Sequence, residues 1–366
     1  MENKNYKQIS VKNIKDNMII ASDIFDYEGN RLLAKGFKIT SGLRVRRLLN
    51  QHNIWFVKVL KEDEDIPSPE DNMTEKENIE TLKMRKAAFQ INKNRVLLKE
   101  SLDRFIMGEK VKPEEIENMI KDTIKLFKND INIFQIMQNV KDADDITYAH
   151  CQNVSLISYS IGEWMELNEE DLKELALAGM LIDIGKTKVD ENVLNKEREL
   201  VYDEFVEIKK HSIYSYEIIK DYEFINDRVK KAVLHHHERI DGSGYPLGLR
   251  GKRIPLFARI VAIADVYNAL ISDRPYRGKK TPFEAIRVLE TEYMDKLDTS
   301  ILYLFLRKIA ENYIGQSILL NNKKEATIIF IPKHHLARPI IRMKDDNSIL
   351  DLSQKENIHL DIIEFL

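Results

Sequence analysis

Apolar residues recur every three to four positions from about residue 80 to residue 310. That period belongs to helices with one buried stripe. It predicts helices over 81–106, 113–128, 147–163, 170–184, 202–220, 226–237, 256–272, 282–293 and 298–313. The pattern changes at both ends. In NMIIASDIFDYEGNRLLAKG two short apolar runs flank Glu28-Gly29-Asn30, a turn signal. SGLRVRRLLNQHN reads as an amphipathic helix with Ser41 as its N-cap, and IWFVKVL as a strand. After residue 314 the texture is β-branched and turn-rich, which predicts three or four strands. The expected class is mainly α. The expected domains are a small α+β module at 1–62, an acidic linker at 63–80, a helical region at 81–314 and a β-rich extension at 315–366.

Composition narrows the class. The chain has 366 residues, too long for one ordinary core. Sixty acidic residues against 57 basic ones leave a formal charge of −3, which argues against a nucleic-acid partner. Cys151 is the single cysteine, so no intramolecular disulfide framework exists. The start, MENKNYKQIS, has no apolar signal core, and no run of about 18 apolar residues occurs. A cytoplasmic protein without a membrane span is expected.

The candidate chemistry lies on the helical stripes. In NDRVKKAVLHHH, Val229, Ala232, Val233 and His236 share one face, and Arg228, Lys231 and His235 share the polar one. His235 is therefore expected in water, with His236 and His237 pointing inward. His150 aligns with Val154, Ile157 and Ile161, and His211 with Ile208 and Ile218. Each alone reads as a satisfied core histidine. Asp265 sits inside an apolar helix, where a carboxylate is costly unless paired or bound to a metal. Asp183 falls in the last turn of its predicted helix, at the negative dipole end, where Lys186 or a metal would offset the penalty. A structural ion pair would explain it as well. Inward His and Asp on neighbouring helices are how bundles build metal sites. The set His150, Asp183, His211, His236, His237 and Asp265 offers nitrogen and oxygen but no thiolate, which suits iron, manganese or zinc. Glu238 is expected to orient a ligand histidine. Gly244 and Tyr245 have plain structural readings too, a positive-φ turn and a core aromatic. His334 and His335 read as exposed, and Lys279 and Lys280 as a modest basic patch.

Longer motifs sharpen this. HHERIDGSGYP (236–246) resembles the HHE-x-x-D-G-x-G-Y-P signature of the HD-GYP family; LIDIGK (181–186) resembles its HD motif, and ARIVAIADVYNALISDRPYR (258–277) its late-Asp helix. The likeness runs continuously over about 147–295, with weaker likeness in the front module and the tail. It implies an HD-type helical bundle from about 140 to 314. It implies metal-dependent hydrolysis of cyclic di-GMP, to pGpG or GMP, in a bacterial signalling protein. In the family pattern His150, position 182, Asp183 and Asp265 hold one divalent metal, and Asp183, His211, His236 and His237 the other, with iron or manganese favoured and zinc also suitable. Lys186 matches a lysine near the attacking water, Arg274 and Arg277 match basic residues near the phosphates, and Gly244-Tyr245-Pro246 shapes the entrance. Partners implied are cyclic di-GMP, a protein at the GYP loop or front module, and a second copy in a homodimer. Two departures stand out. Position 146, where some members add a third metal ligand, is Ile, so two metals are expected. Position 182 is Ile rather than His, which removes an imidazole from the first metal and leaves it weak or empty. An inactive domain acting as cyclic-dinucleotide sensor or scaffold is therefore the alternative to a phosphodiesterase.

Overall fold

Polar residues that can accept from main-chain N–H groups stand where several helices begin. Asn168 Oδ1 accepts from Asp171 N (2.9 Å) and Asn226 Oδ1 from Arg228 N (3.0 Å). Thr281 and Glu284 form a reciprocal box, 2.8 and 3.2 Å. Each such cap stabilises its helix by about 1 kcal/mol. The computed structural model describes residues 6–25, 31–52, 54, 56–60, 91, 93–109, 111–124, 134, 146–194, 196, 198, 201–272 and 280–366. The chain divides into two compact units, Met1–Asn92 and Lys93–Leu366.

In the first unit β1 (Tyr6–Ser10) pairs antiparallel with β4 (Phe56–Leu60), and β2 (Ile24–Phe25) with β3 (Arg31–Leu33). Helix α1 (Gly42–Gln51) packs there, with Ile14, Ile20, Ile39, Leu49 and Val59 in the core. Ser41 precedes α1, but its side chain makes no capping bond. Asp16 Oδ1 instead accepts from Gly42 N at 2.6 Å, because the loop before β2 brings a carboxylate to the helix start. The expected linker at 63–80 lies outside the described residues.

The second unit is helical: α2 (93–106), α3 (Pro113–Ile124), α4 (Ile146–Trp164), α5 (Glu169–Leu181), α6 (Glu191–Leu194), α7 (Tyr202–Lys209), α8 (His211–Ile219), α9 (Asp227–His235), α10 (Leu256–Ile271), α11 (Pro282–Glu292) and α12 (Thr299–Glu311). Helix α10 is buried on nearly every side, so its apolar residues run all round rather than along a stripe. It packs on α4 and α9; α5 packs on α4 and α9, and α9 on α8. A sheet of five strands follows, β5 (Ser317–Leu320), β6 (Glu325–Phe330), β7 (Ile340–Met343), β8 (Ile349–Asp351) and β9 (Ile362–Phe365) in the order β8-β7-β6-β5-β9, one more than the upper count expected. Strand β9 lies at one edge. Glu364 interrupts its apolar run; Ile362 is buried, and the Phe365 ring packs on Phe283 and Tyr313.

Two helix boundaries depart from the periodicity, and both shape the site. The stretch 202–220 is two helices broken at Lys210, so His211 opens α8. The stretch 170–184 ends at Leu181, and the chain turns through Ile182 and Asp183 (φ −109°, ψ 4°) into a 3₁₀ turn, Ile184–Lys188. Asp183 thus stands in a turn and not inside a last helical turn. Ser215 pins this turn: its Oγ donates to Ile182 O (2.7 Å) and accepts from Gly185 N (2.8 Å). A Cβ on Gly185 would fall on His211 O and Ser215 N, so only glycine lets the turn lie against α8.

Candidate metal centre

Five elements bring six side chains together. α4 supplies His150, the turn after α5 Asp183, the start of α8 His211, the end of α9 His236 and His237, and α10 Asp265. Asp183 stands between two groups. Its Oδ2 lies 3.3 Å from His150 Nε2, and its Oδ1 3.4 Å from His211 Nε2. His150 Nε2 is also 3.1 Å from Asp265 Oδ1. On the other side His211 Nε2 lies 3.4 Å from His236 Nε2 and 3.1 Å from His237 Nε2. His237 Nδ1 is 3.7 Å from Asp265 Oδ2. Lys186 Nζ donates to Asp183 Oδ2 at 2.6 Å.

The ring tautomers follow from the main chain. His211 Nδ1–H donates to Ile208 O (2.6 Å) and His236 Nδ1–H to Val233 O (2.7 Å). Both carbonyls lie in the last turns of their helices, where the i to i+4 ladder runs out. Each ring therefore turns a lone pair at Nε2 toward the other. Two lone pairs at that distance repel unless a cation lies between them, and this favours a metal. Ligand-bearing rings are commonly fixed in this way. The triad His211, His236 and His237 can present its ligand nitrogens within 4.8 Å of one another. His150 differs. The Asn268 amide Nδ2 donates to its Nδ1 at 2.7 Å, so its proton sits on Nε2, facing the carboxylates.

Charge follows burial and neighbours. Burial lowers the basicity of His211, takes His236 down to about 4 and pushes His237 well below the usual histidine range. The three imidazoles are neutral near pH 7, the state that binds metal. Burial alone would raise both carboxylates. Lys186 and the surrounding histidines nevertheless hold Asp183 well below the usual carboxylate range, and His150 holds Asp265 at about 2. A cluster of neutral imidazoles facing ionised carboxylates is the donor set a divalent cation requires, and the residues fit one.

The segment 235–246 differs from its sequence expectations at three residues. His235 is buried, 7% exposed, rather than wetted. Its helix ends there, and the following loop folds back, so helical periodicity no longer predicts its surroundings. Glu238 does not orient a ligand histidine. Its Oε1 and Oε2 accept from Leu247 N (2.8 Å) and Leu249 N (2.9 Å), and its nearest imidazole is that of His235, 3.7 Å away. Gly244 has no positive φ; Gly242 does, at 82°. Gly244 is instead required by space, because a Cβ would strike His237 O, Glu238 Cα and Arg239 N. Tyr245 stacks on His237, ring centroids 4.6 Å apart.

Arg274, Arg277 and Lys279 lie outside the described residues. Ile182 is fully buried and carries no donor. Sequence reasoning passed over Asn268 and Ser215. The signal for Asn268 was present: an amide three residues after Asp265 in an apolar helix shares its face. Ser215 had no local signal, since its partners are about 30 residues away in sequence.

A family model described as an HD domain matches residues 116–301, just over half of the chain. The chain belongs to the HD domain family. It is 29% identical over 237 residues to the cyclic di-GMP phosphodiesterase PA4108 of Pseudomonas aeruginosa, covering 65% of this chain and 57% of that protein. It is 36% identical over 188 residues to the 3'3'-cGAMP-specific phosphodiesterase 1 of Vibrio cholerae, covering 50% of this chain and 43% of that one. The chain thus spans about half the length of these curated relatives. Among solved structures, Bd1817, a HDG"Y"P protein from Bdellovibrio bacteriovorus, matches with a TM-score of 0.51 at 18% identity, over 82% of this chain and 98% of that one, a likeness of fold. No helix among the described residues is long and apolar enough to cross a membrane.

Proposed function

We propose that this chain hydrolyses the phosphodiester bonds of a cyclic dinucleotide with divalent metals, cyclic di-GMP by the name of the Pseudomonas relative. The observation that carries this is the placement of Asp183 between His150 and His211, with Lys186 on its outer oxygen. His211, His236, His237 and Asp183 would hold one metal; His150, Asp183 and Asp265 would hold a second, weaker one. Iron or manganese suits these donors, with zinc next. Bound metals would supply polarisation of water and of the phosphate oxygens. The chain itself does the rest. Lys186 holds Asp183 ionised and presents its remaining protons to a phosphate oxygen. Tyr245, stacked on His237, and the close-packed Gly244 give the rim a fixed edge against which substrate is positioned. Arg274 and Arg277 are assigned to the substrate phosphates, since a guanidinium fork pairs with them bidentately. The exposed Leu247 at the loop tip suits a protein partner.

Metal content of purified protein, with turnover of cyclic di-GMP in added manganese or iron, tests this. Two metals, release of pGpG or GMP, and loss of turnover in Asp183→Ala are expected. A second reading, a sensor or scaffold without turnover, is favoured by the buried, donor-free Ile182. No more than one metal and no hydrolysis under any metal would establish it instead.

A further inference from the structure

A cavity of about 350 Å³ adjoins the centre on the Lys186 side. Small-molecule sites span about 300–1,000 Å³. Leu102 and Ile106 of α2, Thr147 and Cys151 of α4, and Lys186 and Thr187 of the 3₁₀ turn all line it. Lys186 is thus common to both places: it touches Asp183 at 2.6 Å and walls the cavity. Its side chain is 31% exposed, whereas that of Asp183 is 2% exposed, so an incoming phosphate meets Lys186 first. Whatever that phosphate carries extends past the lysine.

The lining selects the chemistry. Lys186 is the single cation among the described lining residues, so no second anionic group is served there. Ile106 and Leu194 offer apolar surface, and Thr147 and Thr187 carry hydroxyls. That combination suits a flat, uncharged group with polar edges. The walls are also held apart before any ligand arrives. Tyr148 of α4 donates its hydroxyl to Asp103 of α2, and Arg95 Nε of α2 donates to Gln152 Oε1 of α4 at 3.1 Å. A preformed cavity avoids the ordering cost of closing on its ligand. Helix α2 precedes residue 116, where the HD domain match begins, so one wall comes from outside the family core.

We propose that this cavity is the subsite for the nucleoside joined to the phosphate at Lys186, and that α2 shapes which nucleoside fits. This rests on the cyclic-dinucleotide reading above. Thr147 is half-buried on the cavity wall, so Thr147→Trp fills the space from α4. Two quantities are compared with wild type: kcat/KM for cyclic di-GMP relative to kcat/KM for methyl p-nitrophenyl phosphate, and the Kd of cyclic di-GMP for chelator-treated protein by equilibrium dialysis. The expected result is about a tenfold fall in the ratio and about a tenfold rise in Kd, as for a ligand shut out of one pocket. Ile106→Trp fills the same space from α2 and gives the same result if Thr147→Trp fails to fold. An unchanged ratio and Kd in a folded variant, with wild-type turnover intact, overturns the subsite alone. Wild type that cleaves methyl p-nitrophenyl phosphate but neither binds nor cleaves cyclic di-GMP overturns the substrate reading, and the subsite with it.

Discussion

The two sides of the centre share Asp183 but are prepared differently. On one side His211 and His236 are each fixed at Nδ1 by a main-chain carbonyl and turn free nitrogens inward. On the other, His150 receives a proton donor at Nδ1 from Asn268, so the nitrogen facing the carboxylates carries a proton. Ile182 adds no ligand there. The first side is set in the metal-ready tautomer by main-chain carbonyls near the ends of α7 and α9. The second depends on side chains, which substitution changes readily. Metal affinity therefore turns on what stands behind each ring as much as on how many rings there are.

Removing the shared residue should erase the contrast. Asp183→Ala takes a ligand from both sides and leaves Lys186 without its partner; turnover of cyclic di-GMP is expected to fall by about 10³-fold or more, measured at saturating manganese. Acid should separate the two sides in metal-free protein. His236 titrates near 4 in the fold and near 6.5 when unfolded, so the unfolded chain takes up the proton first. Its stabilisation is complete above about pH 6.5 and is lost as pH falls toward 4, up to about 3 kcal/mol. The depressed carboxylates Asp183 and Asp265 give way only below about pH 4. Urea denaturation at pH 7, 5 and 3.5 should show two successive losses; a single loss confined below pH 4 would contradict the assignment.

Single-ring deletions come next. His236→Ala should lose one equivalent of bound metal and about 100-fold in turnover, and His150→Ala noticeably less of both, by metal analysis and kinetics. Equal losses would mean the two sides are equivalent. The smallest effect is a gain. Ile182→His with Asn268→Asp supplies a ring and replaces the amide donor by a carboxylate acceptor, which moves the His150 proton to Nδ1. Metal affinity of that side should rise by about tenfold, read by titration against a competing chelator.

Much of this was legible in the chain. His150, Asp183, His211, His236, His237 and Asp265 stood on apolar stripes, and the stripes converge, because a helix that must bury its face carries along any polar residue on it. Legibility failed where helices end. By its period His235, the last residue of α9, faces water, but Glu238 of the following loop returns to within 3.7 Å of it, and the true partners of Glu238 are amides of Leu247 and Leu249, not a ligand histidine. The turn at Asp183 depends on Ser215 and Gly185 meeting across the fold, and residues distant in sequence leave no period to read. The α2 wall was invisible for the same reason: Ile106 looked like any core isoleucine.

Glu238 holds its loop by amides alone, and amides have no identity. Side chains at 247 and 249 can change to anything but proline without loosening that anchor. Leu247 already stands 67% exposed beside the rim. The loop is a fixed mount with an interchangeable face: lineages carrying the same centre can redraw what they show to a partner while the rim beneath stays in register.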